Sequence, residues 1–153
     1  MAETNTETSK KLIETLNLVL ADSYALMVNT HNAHWNVEGR GFFALHNAFE
    51  EQYTNLFTAI DEIAERIRAL GGYAMGSLPE FSETARLDNL KAPMKEGDFV
   101  RALLKGNEKT VTDAKMVRDL AADQNDKETE DLMIERITYH EKTIWMLKSF
   151  LGG

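Results

Sequence analysis

No cysteine occurs in the 153 residues, which excludes disulfides and any thiolate metal site. Proline is nearly absent too: Pro79 and Pro93 share one central segment, leaving long helix-compatible stretches on either side. No apolar run reaches the roughly 18 residues of a membrane span, so none is expected. A charged n-region followed by an apolar h-region is missing at the N-terminus, so no secretory signal is expected either. Basic residues are in deficit, with 17 Lys and Arg against 25 Asp and Glu for a net charge of −8. None of them precedes Lys10. Affinity for DNA depends on cations that displace counterions from phosphates, so this balance argues against direct DNA binding. A chain that is 43% hydrophobic still has enough apolar material for one real core. Residues 1–8 read as a flexible tail and 9–153 as one domain, with a cytoplasmic location.

Four long helical patterns run along the chain. The first, about Ser9 to Trp35, places Leu12, Leu16, Val19, Leu20 and Met27 on one side, with Thr8 or Ser9 as its cap. The second, about Gly41 to Leu70, carries Leu45, Phe49, Leu56, Ile60, Ile63 and Ile67 and stops at Gly71-Gly72. The third starts near Asp98 as N-cap and carries Val100, Leu103, Leu104, Val111 and Val117 to about Ala122. The fourth runs from Asp126 or Lys127 to Phe150 with Leu132, Ile137, Ile144 and Leu147. Tyr73 to Lys95 is too long for a simple bundle turn, and Ser77 to about Leu87 reads as a short helix within it. The expected class is therefore all-α: a four-helix bundle with a long crossover.

Five side chains of metal-ligand type fall in the first half: His34, His46, Glu50, Asp61 and Glu65. At about 100° per residue, the last four fall within an arc of about 100° on the second helix. Yet His46 and Glu65 are separated by roughly 28 Å along that helix. Metal–ligand bonds of about 2.0–2.2 Å cannot span that gap, so the two pairs cannot share an ion within one chain. Two copies of the helix packed antiparallel about a two-fold axis near Asn55 and Leu56 would bring them together, twice. The blander reading is a solvated acidic helix face with structural histidines, and spacing alone leaves both open. His34 adds weight to the metal reading. Gly39 and Gly41 allow the chain to reverse, which sets His34 level with His46. Such a mixed nitrogen and oxygen donor set suits iron, zinc or manganese.

The run HNAHWNVEGRGFFALHNAFEEQYTNLFTAIDEIAERIRALGG closely resembles the Dps family of miniferritins, the DNA-binding proteins from starved cells. The specific match is His-Trp-Asn-Val, the glycine turn, Phe-x-x-Leu-His, a carboxylate four residues on, and Asp-x-x-Ala-Glu-Arg. Ile144-Trp145-Met146 and Leu151-Gly152 extend it into the last helix. The resemblance implies a ferritin-like bundle, a hollow dodecamer built from two-fold dimers, and an Fe(II)-binding ferroxidase centre between two-fold-related subunits. It carries the ligand role to His34, His46, Asp61 and Glu65 without substitution. Position 50 is Glu where many members have Asp, which implies altered affinity rather than lost function. Ordinary ferritins build their di-iron site from Glu-x-x-His pairs inside the bundle. None of the four histidines here has Glu three positions before it.

The implied function is iron storage and detoxification. Fe(II) is oxidised, preferably by hydrogen peroxide, and stored as Fe(III) mineral, so DNA is protected from oxidative stress without being touched. Zinc and manganese are expected competitors at the site. Asp126, Glu130 and Asp131 either line an acidic pore that draws in Fe(II) or are a solvated helix start. Trp35 lies beside the metal or simply packs, and His31 supports His34. His140 is expected at the surface and Trp145 in the core. The alternative function is a nucleoid-associated DNA-binding structural protein with a degenerate or zinc- or manganese-occupied site.

Overall fold

The computed structural model describes the backbone of residues 2–152 and the side chains of residues 7–152. Five helices follow in order: α1 (Ala2–Asn36), α2 (Phe42–Ala69), α3 (Leu78–Thr84), α4 (Glu96–Asp123) and α5 (Lys127–Leu151). There is no strand among the described residues. Helical backbone begins at Ala2, ahead of the expected Ser9, so neither Thr8 nor Ser9 caps it. Of the expected tail, the side chains of residues 1–6 lie outside the described residues.

Contacts at the helix ends fix the topology. The α2 start meets the α4 start where the Gly41 amide donates to Glu96 at 3.0 Å. The α2 end meets the α5 start through the Arg66–Asp126 ion pair at 2.9 Å. Gln124, just past α4, donates to the Thr8 carbonyl near the start of α1 at 2.9 Å. Thus α2 and α4 run parallel, with α1 and α5 antiparallel to them, and the long crossover carries the chain back along the bundle. Gly71 ends α2 at φ +93°, while the Gly72 amide bonds the Ile67 carbonyl at 3.1 Å, a Schellman stop. The α4 cap is Lys95 rather than Asp98, which instead lies in the first turn and pairs with Arg101 at 3.1 Å.

Two apolar clusters fill the bundle. One packs Leu12, Leu16, Val19 and Leu20 against Ile63, Ile67, Val117 and Met133. The other packs Leu26 and Val37 against Leu45, Phe49, Leu56, Phe99 and Leu103. The bundle also buries a polar network. Arg136 donates to Asn55 at 2.7 Å and lies 3.1 Å from His140 Nε2. His140 Nδ1 lies 2.7 Å from Asn107 Oδ1, and Asn107 donates to the Leu103 carbonyl at 2.8 Å. A guanidinium can only donate, so His140 accepts at Nε2 and donates from Nδ1. His140 is therefore fully buried, not at the surface as expected. The inward stripe of α5 is itself largely polar, with Thr129, Arg136, His140 and Thr143 interleaved with Met133, Ile137 and Leu147. Trp145 falls off that stripe and is 65% exposed, against the expectation of a core residue.

The crossover is strapped to α1 by polar side chains. The Asn17 side chain donates to the Tyr73 carbonyl at 3.2 Å and accepts from the Met75 amide at 3.0 Å. Asn29 and Asn32 donate to the carbonyls of Asp88 and Leu90 at 2.9 and 3.0 Å. Asp22 accepts the Arg86 amide at 2.8 Å, while the Arg86 guanidinium pairs with buried Asp113 at 2.6 Å. No helix among the described residues is long and apolar enough to cross a membrane.

Candidate metal centre

Helix α2 divides its surface cleanly. Buried Leu45, Phe49, Leu56, Ile63 and Ile67 form one stripe. His46, Glu50, Asp61 and Glu65 form another, centred about 130° away around the helix. The core stripe holds α2 against the bundle, and so turns the second stripe away from it. Glu50, Asp61 and Glu65 are exposed and free of ion pairs and hydrogen bonds within the described residues.

The two histidines are brought together. Their rings stack at 3.8 Å between centroids, inclined by 13°. His34 Nδ1 lies 2.7 Å from the His46 carbonyl oxygen, and His46 Nδ1 lies 2.7 Å from the His34 carbonyl oxygen. A carbonyl can only accept, so each Nδ1 carries a proton and donates. Each histidine thus orients its neighbour through the backbone, and in the neutral ring each Nε2 keeps its lone pair for a metal. The carboxylates do not join this pair: among the described residues, no three His, Asp or Glu side chains converge to hold a metal.

Aromatic rings extend the histidine pair. Tyr53 lies 5.1 Å from His34 and 4.2 Å from His31, and His31 stacks on Trp35 at 5.1 Å and 2°. Burial, helped by His34, lowers the His31 pKa. Trp35 is 68% exposed, so it does not pack into this chain's core. On the ligand side of α2, Phe43 and Phe57 are 79% and 71% exposed. Beside Phe57, a cleft of about 420 Å³ is lined by Tyr24, Met27, Ile60 and Ala64, with Phe57 and Asp61 also on its wall.

Spacing did not reveal Glu96, whose carboxylate reaches the turn between the two histidines from another helix. No local pattern links residues so far apart in sequence. The acidic segment also divides. Asp126 caps α5, accepting from the Thr129 amide at 3.1 Å, and pairs with Arg66. Burial pushes its pKa up, but hydrogen bonds from Thr129 and the Arg66 charge outweigh this and hold it below 3.8. Its carboxylate is therefore committed to structure, whereas Asp131 is exposed and Glu130 half-buried.

The ferritin-like domain family matches residues 13–153. The DNA protection during starvation protein 2 of Bacillus anthracis is 38% identical over 144 residues, covering 94% of this chain and 99% of its own. A Dps crystal structure from Vibrio cholerae O1, described as a member of a superfamily of ferritin-like diiron-carboxylate proteins, superposes with a TM-score of 0.91 at 34% identity. That match covers 95% of this chain and 92% of the other. A Dps structure from Bacillus brevis gives 0.91 at 32% identity, covering 95% and 97%.

Proposed function

The chain belongs to the Dps family of ferritin-like proteins, and from that premise we propose that it oxidises and stores iron at a centre completed by a second copy. The observation that carries this reading is the split ligand stripe. An imidazole pair with free Nε2 atoms stands at one end of α2 and unengaged carboxylates at the other, on a face edged by exposed Phe43 and Phe57. Antiparallel pairing about a two-fold axis near Asn55 and Leu56 sets His34 and His46 of one chain against Asp61 and Glu65 of the next, and buries both phenylalanines. Because the contact is isologous, it makes the site twice.

His34 and His46 are the neutral donors, Asp61 and Glu65 the anchoring carboxylates, and Glu50 an assisting ligand, directly or through water. Two Fe(II) ions each give one electron to one hydrogen peroxide, whose O–O bond breaks. Both oxygens leave at the level of water or hydroxide, so no hydroxyl radical is released. Consuming both partners of that radical chemistry protects DNA without contact. The Fe(III) product hydrolyses and mineralises inside a hollow homo-oligomeric shell of twelve subunits. Zinc and manganese compete for the same donors, since nitrogen and oxygen ligands accept all three. The direct test is anaerobic Fe(II) loading of the assembled protein, then hydrogen peroxide in one sample and oxygen in another. Faster growth of ferric absorbance with peroxide, retained by the assembly on a sizing column, supports the proposal. Absence of protein-dependent oxidation contradicts it.

A further inference from the structure

The mutual hydrogen bonds of His34 and His46 require α1 and α2 to keep one offset. A slip of one residue moves α2 about 1.5 Å along its axis, enough to strain bonds that now measure 2.7 Å. Helix α2 carries little of its own to prevent this. Its N-cap is Gly41, with no side-chain cap, and its first turn holds no acid. Four amides at a helix start need partners, and the positive end of the helix dipole needs an anion.

Glu96 meets part of that need from α4. Its Oε2 accepts the Gly41 amide at 3.0 Å. In a capping box, a glutamate on the same helix reaches back to the N-cap amide. Here a glutamate far away in sequence takes that role. Glu96 is also the first residue of α4, so one carboxylate lies at two helix N-termini. Both glycines of the turn make room for this arrangement. A Cβ on Gly39, whose φ is +124°, would stand 2.6 Å from Glu96 Oε2. One on Gly41 would stand 3.0 Å from the Phe150 ring and 3.2 Å from that oxygen. The carboxylate on one side and the Phe150 ring on another hold the chain between the two ligands.

We propose that Glu96 is a positioning residue for the metal centre, locking the Gly39–Gly41 turn so that His34 and His46 stay in register with both Nε2 atoms free. The claim rests on the proposed function, because it concerns the same site.

Co(II) titration of the assembled full-length protein, read by calorimetry and by the visible absorption of the bound ion, tests it. E96A is expected to weaken Co(II) binding about tenfold, the lower end of losses when a ligand's supporting hydrogen bonds are removed, and to alter the absorption band. E96Q keeps an oxygen acceptor for the Gly41 amide and should restore most of the affinity. E96D, which withdraws the carboxylate, should fall between. D98A, which removes an exposed acid two residues on in the same first turn of α4 without touching the Gly39–Gly41 turn, should bind as wild type. Wild-type affinity and absorption in E96A overturn the proposal. Should E96A fail to assemble, the same result in E96D overturns it. If the wild type binds Co(II) in a His34-dependent way while the Glu96 variants match it, only the Glu96 claim falls. If binding by the wild type is indifferent to His34→Ala, the proposed centre falls and the Glu96 claim with it.

Discussion

Replacing Phe57 by glutamate should dismantle the pairing that completes the metal centre while leaving each chain's fold intact. Phe57 lies close to the proposed two-fold axis and is 71% exposed in the single chain, so it contributes little to that chain's own core. A phenylalanine presents about 200 Å² to be buried, so covering the exposed part removes about 140 Å² from water. The axis doubles this to about 280 Å², which at about 25 cal/mol/Å² stabilises the dimer by about 7 kcal/mol. F57E forfeits that and adds two carboxylates to a face that already carries Glu50, Asp61 and Glu65. Ordering and imperfect packing take back part of the calculated gain. Even half of it lost weakens association by about 10²- to 10³-fold. Sedimentation velocity over a dilution series measures this, with far-ultraviolet circular dichroism confirming unchanged helix content. If F57E associates as tightly as wild type at every concentration, the outward face of α2 is not the pairing surface.

Other outcomes follow from the buried charges and the acidic segment. Desolvation, and then hydrogen bonding to Asp113, raises the Asp22 pKa from 3.8 to about 7, among Asp113, Arg86 and Lys109. The stability held by protonated Asp22 is complete below about 3.8 and lost as pH rises through about 7, so D22N should gain thermal stability over wild type at pH 8 to 9. Desolvation, and then the Arg136 charge, lowers the His140 pKa to about 3, so its stability is present above 6.5 and lost as pH falls toward 3. Chemical denaturation of H140Q at stepped pH should therefore show a flatter acid limb than wild type; an equally steep limb refutes the assignment. Neutralising Glu130 and Asp131 to Gln and Asn should slow iron uptake at low salt, with the difference narrowing at high salt, while Co(II) affinity at the interface stays put. Loss of interface affinity in that variant would make these acids structural. With a net charge of −8, the purified protein should not retard duplex DNA at neutral pH and physiological salt; a salt-sensitive gel shift refutes this.

Much of the fold could be read in the sequence because apolar periodicity reports directly on which face of a helix is buried. Leu45, Phe49, Leu56, Ile63 and Ile67 are core as their spacing implies, and Gly71 stops α2 because a left-handed backbone there suits glycine. The start of the short crossover helix was legible too, since Ser77 caps it by accepting the Glu80 amide at 3.4 Å, but the helix ends at Thr84 rather than near Leu87, with Ala85 already extended. Periodicity misleads where the buried stripe is polar. His140 and Arg136 follow the same helical spacing as Met133 and Ile137, but hydropathy assigns them to solvent. Trp145 is the converse, apolar yet exposed on a single chain. At the candidate site, the angular clustering of His46, Glu50, Asp61 and Glu65 was available from the 3.6-residue period alone. The reciprocal Nδ1 bonds between His34 and His46 depend on the turn's conformation, and the Glu96 contact on how α4 packs; neither has a local sequence signature.

The central claim, a metal centre shared across a two-fold axis, is tested most directly by complementation. Chains carrying His34→Ala and His46→Ala are co-assembled with chains carrying Asp61→Ala and Glu65→Ala, and peroxide-driven Fe(II) oxidation is measured. Each mixed interface has one whole site and one stripped of every proposed ligand but Glu50, and random equal mixing makes about half the interfaces mixed, so roughly a quarter of wild-type activity should return. Either mutant assembly alone should be inactive. Mixed assemblies that stay as inactive as their parents, while wild-type chains taken through the same mixing keep full activity, contradict the shared site.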